Sequence, residues 1–176
     1  MNKERYIFLD FDGVLNTMEY QTALQWKGEP RKDEYGSLFD PEAVENLNLI
    51  IQNTNAKIVI SSSWRLDGIR RMREMWAARG LPGKVYGVTP ELSEVHFNLQ
   101  DDRNSISVIP YGTRGLEINE WLHINQNLYQ QYMGYSYAII DDFDDFISSQ
   151  MSHVVLTEPE TGLTKELATK AIALLL

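Results

Sequence analysis

Apolar positions along this chain fall into short unbroken runs, separated by longer stretches with helical spacing. Tyr6 to Leu9 is a continuous apolar run, as a strand buried on both faces would be. Lys57 to Ile60, Val85 to Val88, Tyr137 to Ile140 and Val154 to Leu156 predict four further strands. Asp40-Pro41-Glu42 opens a helix with an N-cap acid, proline at the first position and glutamate in the first turn. Val44, Leu47, Ile50 and Ile51 continue it at helical spacing. Asp67 to Arg79 predicts another helix, stopped by Gly80 with Pro82 just beyond. Gly115 to about Asn125 and Thr164 to Leu175 complete the set. Thr17 to Leu38 is polar and rich in charge, glycine and proline, and predicts a flap or long loop. Thr89 to Pro110 is mixed in pattern and predicts no element.

Strands alternating with helices imply a mainly parallel five-stranded sheet in a three-layer α/β/α domain, spanning residues 1–176. Ligands bind such sheets beyond the carboxyl ends of their strands, so the residues just after each strand matter most. After the first strand come Asp10 and Asp12, then Gly13; after the second come Ser61, Ser62 and Ser63, then Trp64 and Arg65. After the fourth come Asp141 and Asp142, with Asp144 and Asp145 behind them, and Arg114 sits near the start of the preceding helix. Carboxylates aimed at one point repel, and burying them is costly unless a cation offsets the charge. Magnesium takes a few carboxylates plus substrate phosphate, so Asp10 and the acids at 141–142 are candidate ligands. One acid would then be free to attack phosphorus, and a second, two residues on, to protonate the leaving oxygen. A break at Gly13 would let Asp10 and Asp12 address one centre, while a serine and an arginine hold the phosphoryl oxygens.

In sequence order, FLDFDGVLN, KIVISSSW, Arg114 and YAIIDD resemble the four motifs of the haloacid dehalogenase (HAD) superfamily of phosphohydrolases. The chain is more closely similar to the HAD-like domains linked with RNA repair proteins, which pair ISSSWR-like and RGxEIxxWL-like segments with a late TGLT, here Thr161 to Thr164. The resemblance implies a Rossmannoid fold and a magnesium-dependent phosphatase. It makes Asp10 the nucleophile and a metal ligand, and Asp12 the general acid and then base, with its backbone carbonyl on the metal. Ser62, or Ser61 in the other register, would bind the phosphoryl group, and Arg114 would neutralise its charge. Asp142 would bind magnesium directly and Asp141 through water, with Asp145 a further candidate. The carboxylate at position 12 separates the chain from the pumps, which carry threonine there, and from the founding dehalogenases, which lack this acid.

Composition narrows the picture further. Hydrophobic residues make up 43% and charged ones 23% of 176 residues, ordinary for one globular domain. There is no cysteine, which removes disulfides, thiolate catalysis and cysteine-bound zinc. His96, His123 and His153 lack metal-ligand spacing. No window approaches the roughly 20 apolar residues of a membrane span, and MNKERYIF carries no secretion pattern, so the expectation is a cytoplasmic protein without membrane partners. A net charge of −9 argues against broad nonspecific nucleic-acid binding but leaves room for a local basic groove. Arg65, Arg70, Arg71, Arg73 and Arg79 read either as the solvated face of a helix or as a substrate-facing patch. Trp64 reads as a pocket wall or as a stacking partner for a base.

The gaps between motifs leave no space for a large cap, so the enzyme is capless or carries only a small insert at 17–38. An open site suits either a small phosphorylated molecule or the 3′- or 5′-phosphate of an RNA or DNA end. A non-catalytic domain that binds phosphate or a partner on the same scaffold is the alternative of a different class.

Overall fold

The computed structural model describes residues 3–92, 113–125 and 134–176. Most of the mixed stretch ending at Pro110, together with His96, Tyr129 and Tyr132, lies outside the described residues. The elements run β1 (Glu4–Leu9), α1 (Met18–Lys27), β2 (Lys32–Asp33), β3 (Gly36–Ser37), α2 (Pro41–Thr54), β4 (Lys57–Ile60), α3 (Gly68–Ala78), β5 (Val85–Val88), α4 (Thr113–Asn125), β6 (Tyr135–Asp141), β7 (Val154–Leu156) and α5 (Lys165–Leu175). A five-stranded sheet of order β5-β4-β1-β6-β7 forms the centre, and every pairing in it is parallel. Among the described residues no helix is long and apolar enough to cross a membrane.

Strand periodicity divides β1 between two cores. Ile7 and Leu9 face one side, where Leu47 and Ile50 of α2, Met72, Met75 and Trp76 of α3, and Ala168, Ala171 and Leu175 of α5 bury them. Tyr6 and Phe8 face the other, against Ile118, Trp121 and Leu122 of α4 and Phe146. These are the helix layers of a three-layer α/β/α HAD-like Rossmannoid fold.

Helix boundaries follow local chemistry. The Asp40 side chain accepts from the Glu42 amide at 2.9 Å, and Pro41 occupies the first position of α2. Thr164 caps α5 in the same manner, accepting from the Leu167 amide.

The stretch expected to be a flap or long loop is instead a helix followed by a two-stranded antiparallel hairpin, β2-β3. Thr17 caps α1, and Gly28 closes it in the left-handed conformation at φ 68°. The helix buries only Leu24 and leaves Trp26 86% exposed, so no apolar stripe announces it in the sequence. Arg65, Arg71 and Arg79 also depart from both readings. Arg79 forms an ion pair with Asp33 at 2.7 Å, and Arg71 donates to the Glu34 carbonyl, so together they tie the hairpin to α3. Arg73 donates to the carbonyls of Val85 and Tyr86, and Arg65 is buried. Of the five, Arg70, at 92% side-chain exposure, and Arg73 are exposed, as a solvated face would be.

Candidate active site

Sheet register brings the chemistry together. Leu9 lies level with Ile60 on one side and Ile140 on the other, so the next residues, Asp10, Ser61 and Asp141, leave the sheet side by side. Backbone bonds continue the ladder, from the Asp10 amide to Ile140 and from the Ser61 amide to Leu9. The chain runs outward from β1 through β4 to β5, then returns to the other side of β1 as β6. The site therefore opens where strand order reverses, as parallel α/β sheets dictate.

Phe11 to Asn16 folds into a tight turn, in which the Leu15 and Asn16 amides both donate to the Phe11 carbonyl. Gly13 is required there twice over. Its φ is 70°, and a Cβ would meet Asp142 Oδ2 at 2.2 Å. The turn thus lets the acid pair after β6 press against the acid pair after β1. The TGLT segment braces it from behind: the Leu163 amide donates to Val14, and a Cβ on Gly162 would meet the Val14 oxygen at 2.4 Å. Thr157 adds a bond from its hydroxyl to the Gly13 carbonyl at 2.8 Å.

Asp10, Asp141 and Asp142 each place a carboxylate oxygen within 4.8 Å of the others. Asp10 and Asp141 are buried. Asp12 is exposed and its side chain stands outside that cluster, as does Asp145. Burial, and then the Asp10 charge, push the Asp141 carboxyl up to about 7. Asp142 is raised for the same two reasons in the same order, and Asp145 mainly by burial. Arg114 stands 3.4 Å from Asp10 Oδ1 and 3.5 Å from Asp141 Oδ2. Burial works against its charge, but Asp141, Asp10, Glu117 and Asp145 outweigh that and hold its guanidinium above the ordinary value.

One arginine does not balance this set. Among the described residues, Asp141 Oδ2 is buried with the Arg114 ion pair but no hydrogen bond, and the Ser61 hydroxyl is buried with no hydrogen bond. Unpaired buried polar atoms are rare and costly. Hard carboxylate oxygens with a spare lone pair fit a magnesium ion. The serine register is equally informative: the Ser62 hydroxyl is engaged by the Trp64 amide at 3.4 Å, whereas that of Ser61 is free.

Arg114 reaches this point because α4 starts against the 145–150 segment. The Gly115 amide donates to the Asp145 carbonyl, and a Cβ at Gly115 would strike Ile147 and Gln150 at 2.7 Å. The Arg114 guanidinium also donates to the Ser61 carbonyl. Behind it lies a group that residue types alone did not reveal. Arg65 pairs with Glu117 at 2.7 Å and donates to the carbonyls of Ser61, Ser62 and Thr89. Trp64, expected to wall the pocket or stack on a base, donates its indole N–H to Asp12 Oδ2 at 2.9 Å. Asn16 holds the other oxygen of Asp12 at 2.7 Å. His153 stacks on Tyr137 and binds its carbonyl, away from this cluster.

The family model for the HAD domain in Swiss Army Knife RNA repair proteins matches residues 6–168. No curated protein and no solved structure matches the chain.

Proposed function

The chain belongs to the family of HAD domains in Swiss Army Knife RNA repair proteins, a phosphohydrolase-type fold, and from that premise we propose that it is a magnesium-dependent phosphomonoesterase. The observation that carries this reading is the cluster of Asp10, Asp141 and Asp142 with Arg114 as its one ion-pairing cation among the described residues, beside a Ser61 hydroxyl with no hydrogen bond among them. Asp10, Asp141 and Asp142 would hold the ion, whose charge offsets carboxylate repulsion and draws the phosphoryl oxygens inward. Ser61 and Arg114 bind those oxygens. An Asp10 oxygen attacks phosphorus as the bond to the leaving oxygen breaks, and Asp12 gives that oxygen its proton. Water then attacks the aspartyl-phosphate, Asp12 takes the water's proton, and orthophosphate leaves with Asp10 restored.

A nucleic-acid end is the substrate favoured among phosphomonoesters. The family description places such domains in RNA repair proteins. Between the first motif and α2 the chain inserts only α1 and the hairpin, and Asp12 remains exposed. The test is phosphate release across 3′- and 5′-phosphorylated oligonucleotides, nucleotides and sugar phosphates, with magnesium or chelator. Magnesium-dependent release, fastest from an oligonucleotide end, is the expected result. No release from folded protein on any substrate would favour a non-catalytic phosphate- or partner-binding domain.

A further inference from the structure

We propose that Trp64 is a positioning residue that, together with Asn16, fixes the Asp12 carboxylate for proton transfer. The inference rests on the phosphatase reading and adds a determinant of its proton donor. Asp12 is exposed, and a free aspartate at the surface would sample several rotamers. Here neither oxygen is free to swing. Asn16 Nδ2 holds Oδ1 at 2.7 Å and Trp64 Nε1 holds Oδ2 at 2.9 Å. An indole nitrogen only donates, so Trp64 orients the carboxylate without competing for its proton.

The indole is itself locked. Phe11 meets it edge-on at 5.5 Å and 90°, and Phe39 lies 5.7 Å away. Arg79 sits over the ring at 5.7 Å. On the hairpin side, a Cβ at Gly36 would come within 2.8 Å of the ring, so glycine is needed to let β3 close onto it. Trp64 also belongs to the 3-10 turn Ser63–Asp67, which begins two residues after Ser61 with Ser62 as its cap. The short segment from Ser61 to Trp64 therefore carries both the hydroxyl proposed to face the phosphoryl group and the group that aims the proton donor. Packing would explain an aromatic residue here, but not an N–H directed at a carboxylate.

The experiment compares kcat/KM, which reports the first irreversible step, on two esters. The leaving group of 4-nitrophenyl phosphate departs without protonation, whereas that of glycerol phosphate requires it. Trp64→Phe is expected to lose roughly ten- to a hundredfold on glycerol phosphate and to stay within about threefold of wild type on the nitrophenyl ester. Equal losses on both esters would overturn the positioning role and leave Trp64 a packing residue. Wild type inert toward both esters and toward phosphorylated oligonucleotides would overturn the phosphatase reading itself. A second measurement does not depend on the Trp64 variant folding. In protein labelled with ¹⁵N-tryptophan, Asp12→Ala should shift the Trp64 indole cross-peak upfield and leave those of Trp26, Trp76 and Trp121 in place. A Trp64 cross-peak that does not move would contradict the contact on which the proposal stands.

Discussion

Two charged groups lie back to back at the carboxyl end of the sheet, and they are built on opposite terms. Arg65 and Glu117 form a closed pair at 2.7 Å, with side chains 8% and 6% exposed. The spare donors of Arg65 go to backbone carbonyls, and Glu117 also accepts from the Leu92 amide. Burial is the largest influence on both, raising the Glu117 carboxyl and lowering Arg65, and mutual attraction offsets part of it. The acid cluster beside it is open. Among the described residues, Asp10, Asp141 and Asp142 converge with Arg114 as the one cation within ion-pair distance of Asp10 and Asp141, and neither Asp141 Oδ2 nor the adjacent Ser61 hydroxyl makes a hydrogen bond. The closed group holds the serine turn against α4. The open group carries carboxylate repulsion that the proposed metal would offset, a cost that functional sites commonly carry.

Asp10→Asn separates the two roles most sharply. Phosphate release should fall by roughly 10⁴-fold or more, since the proposed nucleophile is lost. Thermal unfolding without metal should show stability equal to or above wild type, because a like charge beside Asp141 has gone. Glu117→Gln should act in the opposite sense. It leaves Arg65 buried with half its partner, so urea unfolding should report a loss of about 3–5 kcal/mol. Arg114→Ala comes next, with kcat/KM down by roughly a hundredfold through lost charge-assisted bonds to the phosphoryl group. The serines give the smallest and most discriminating effect. Ser61→Ala should weaken inorganic phosphate binding, read by calorimetry, by about tenfold. Ser62→Ala should instead cost about 1 kcal/mol of stability, as the cap of the 3-10 turn.

Much of the open group was legible in the sequence, and little of the closed one. An apolar run ending in an acid is a local pattern, so Asp10, Asp12 and Asp141 could be placed before any contact was known. Parallel pairing did the rest, because strands in register deliver their next residues together. Three consecutive serines gave no local sign of which one faces the site. Alignment of Ile60 with Leu9, and a Ser61 hydroxyl with no hydrogen bond among the described residues, favour Ser61 over the Ser62 of the first register in the proposed role. Arg65 and Glu117 meet only through the tertiary fold, so neither residue type nor spacing points to the pair. Helix α1 was missed for another reason. Thr17 and Gly28 cap it in the structure, but a helix that buries only Leu24 lacks the apolar periodicity that identifies helices. Residues of the ISSSWR-like, RGxEIxxWL-like and TGLT segments now have structural contacts: Trp64 on Asp12, Arg65 on Glu117, and Gly162 against Val14.

Magnesium binding tests the contrast most directly. Titrating magnesium into wild type, Asp141→Asn and Glu117→Gln, and following thermal unfolding, separates an open site from a finished one by mass action. The account predicts that magnesium raises the midpoint of wild type and of Glu117→Gln by similar increments, from different starting points, and leaves Asp141→Asn nearly unmoved. Wild type unresponsive to millimolar magnesium, or Asp141→Asn responding as wild type does, would contradict it.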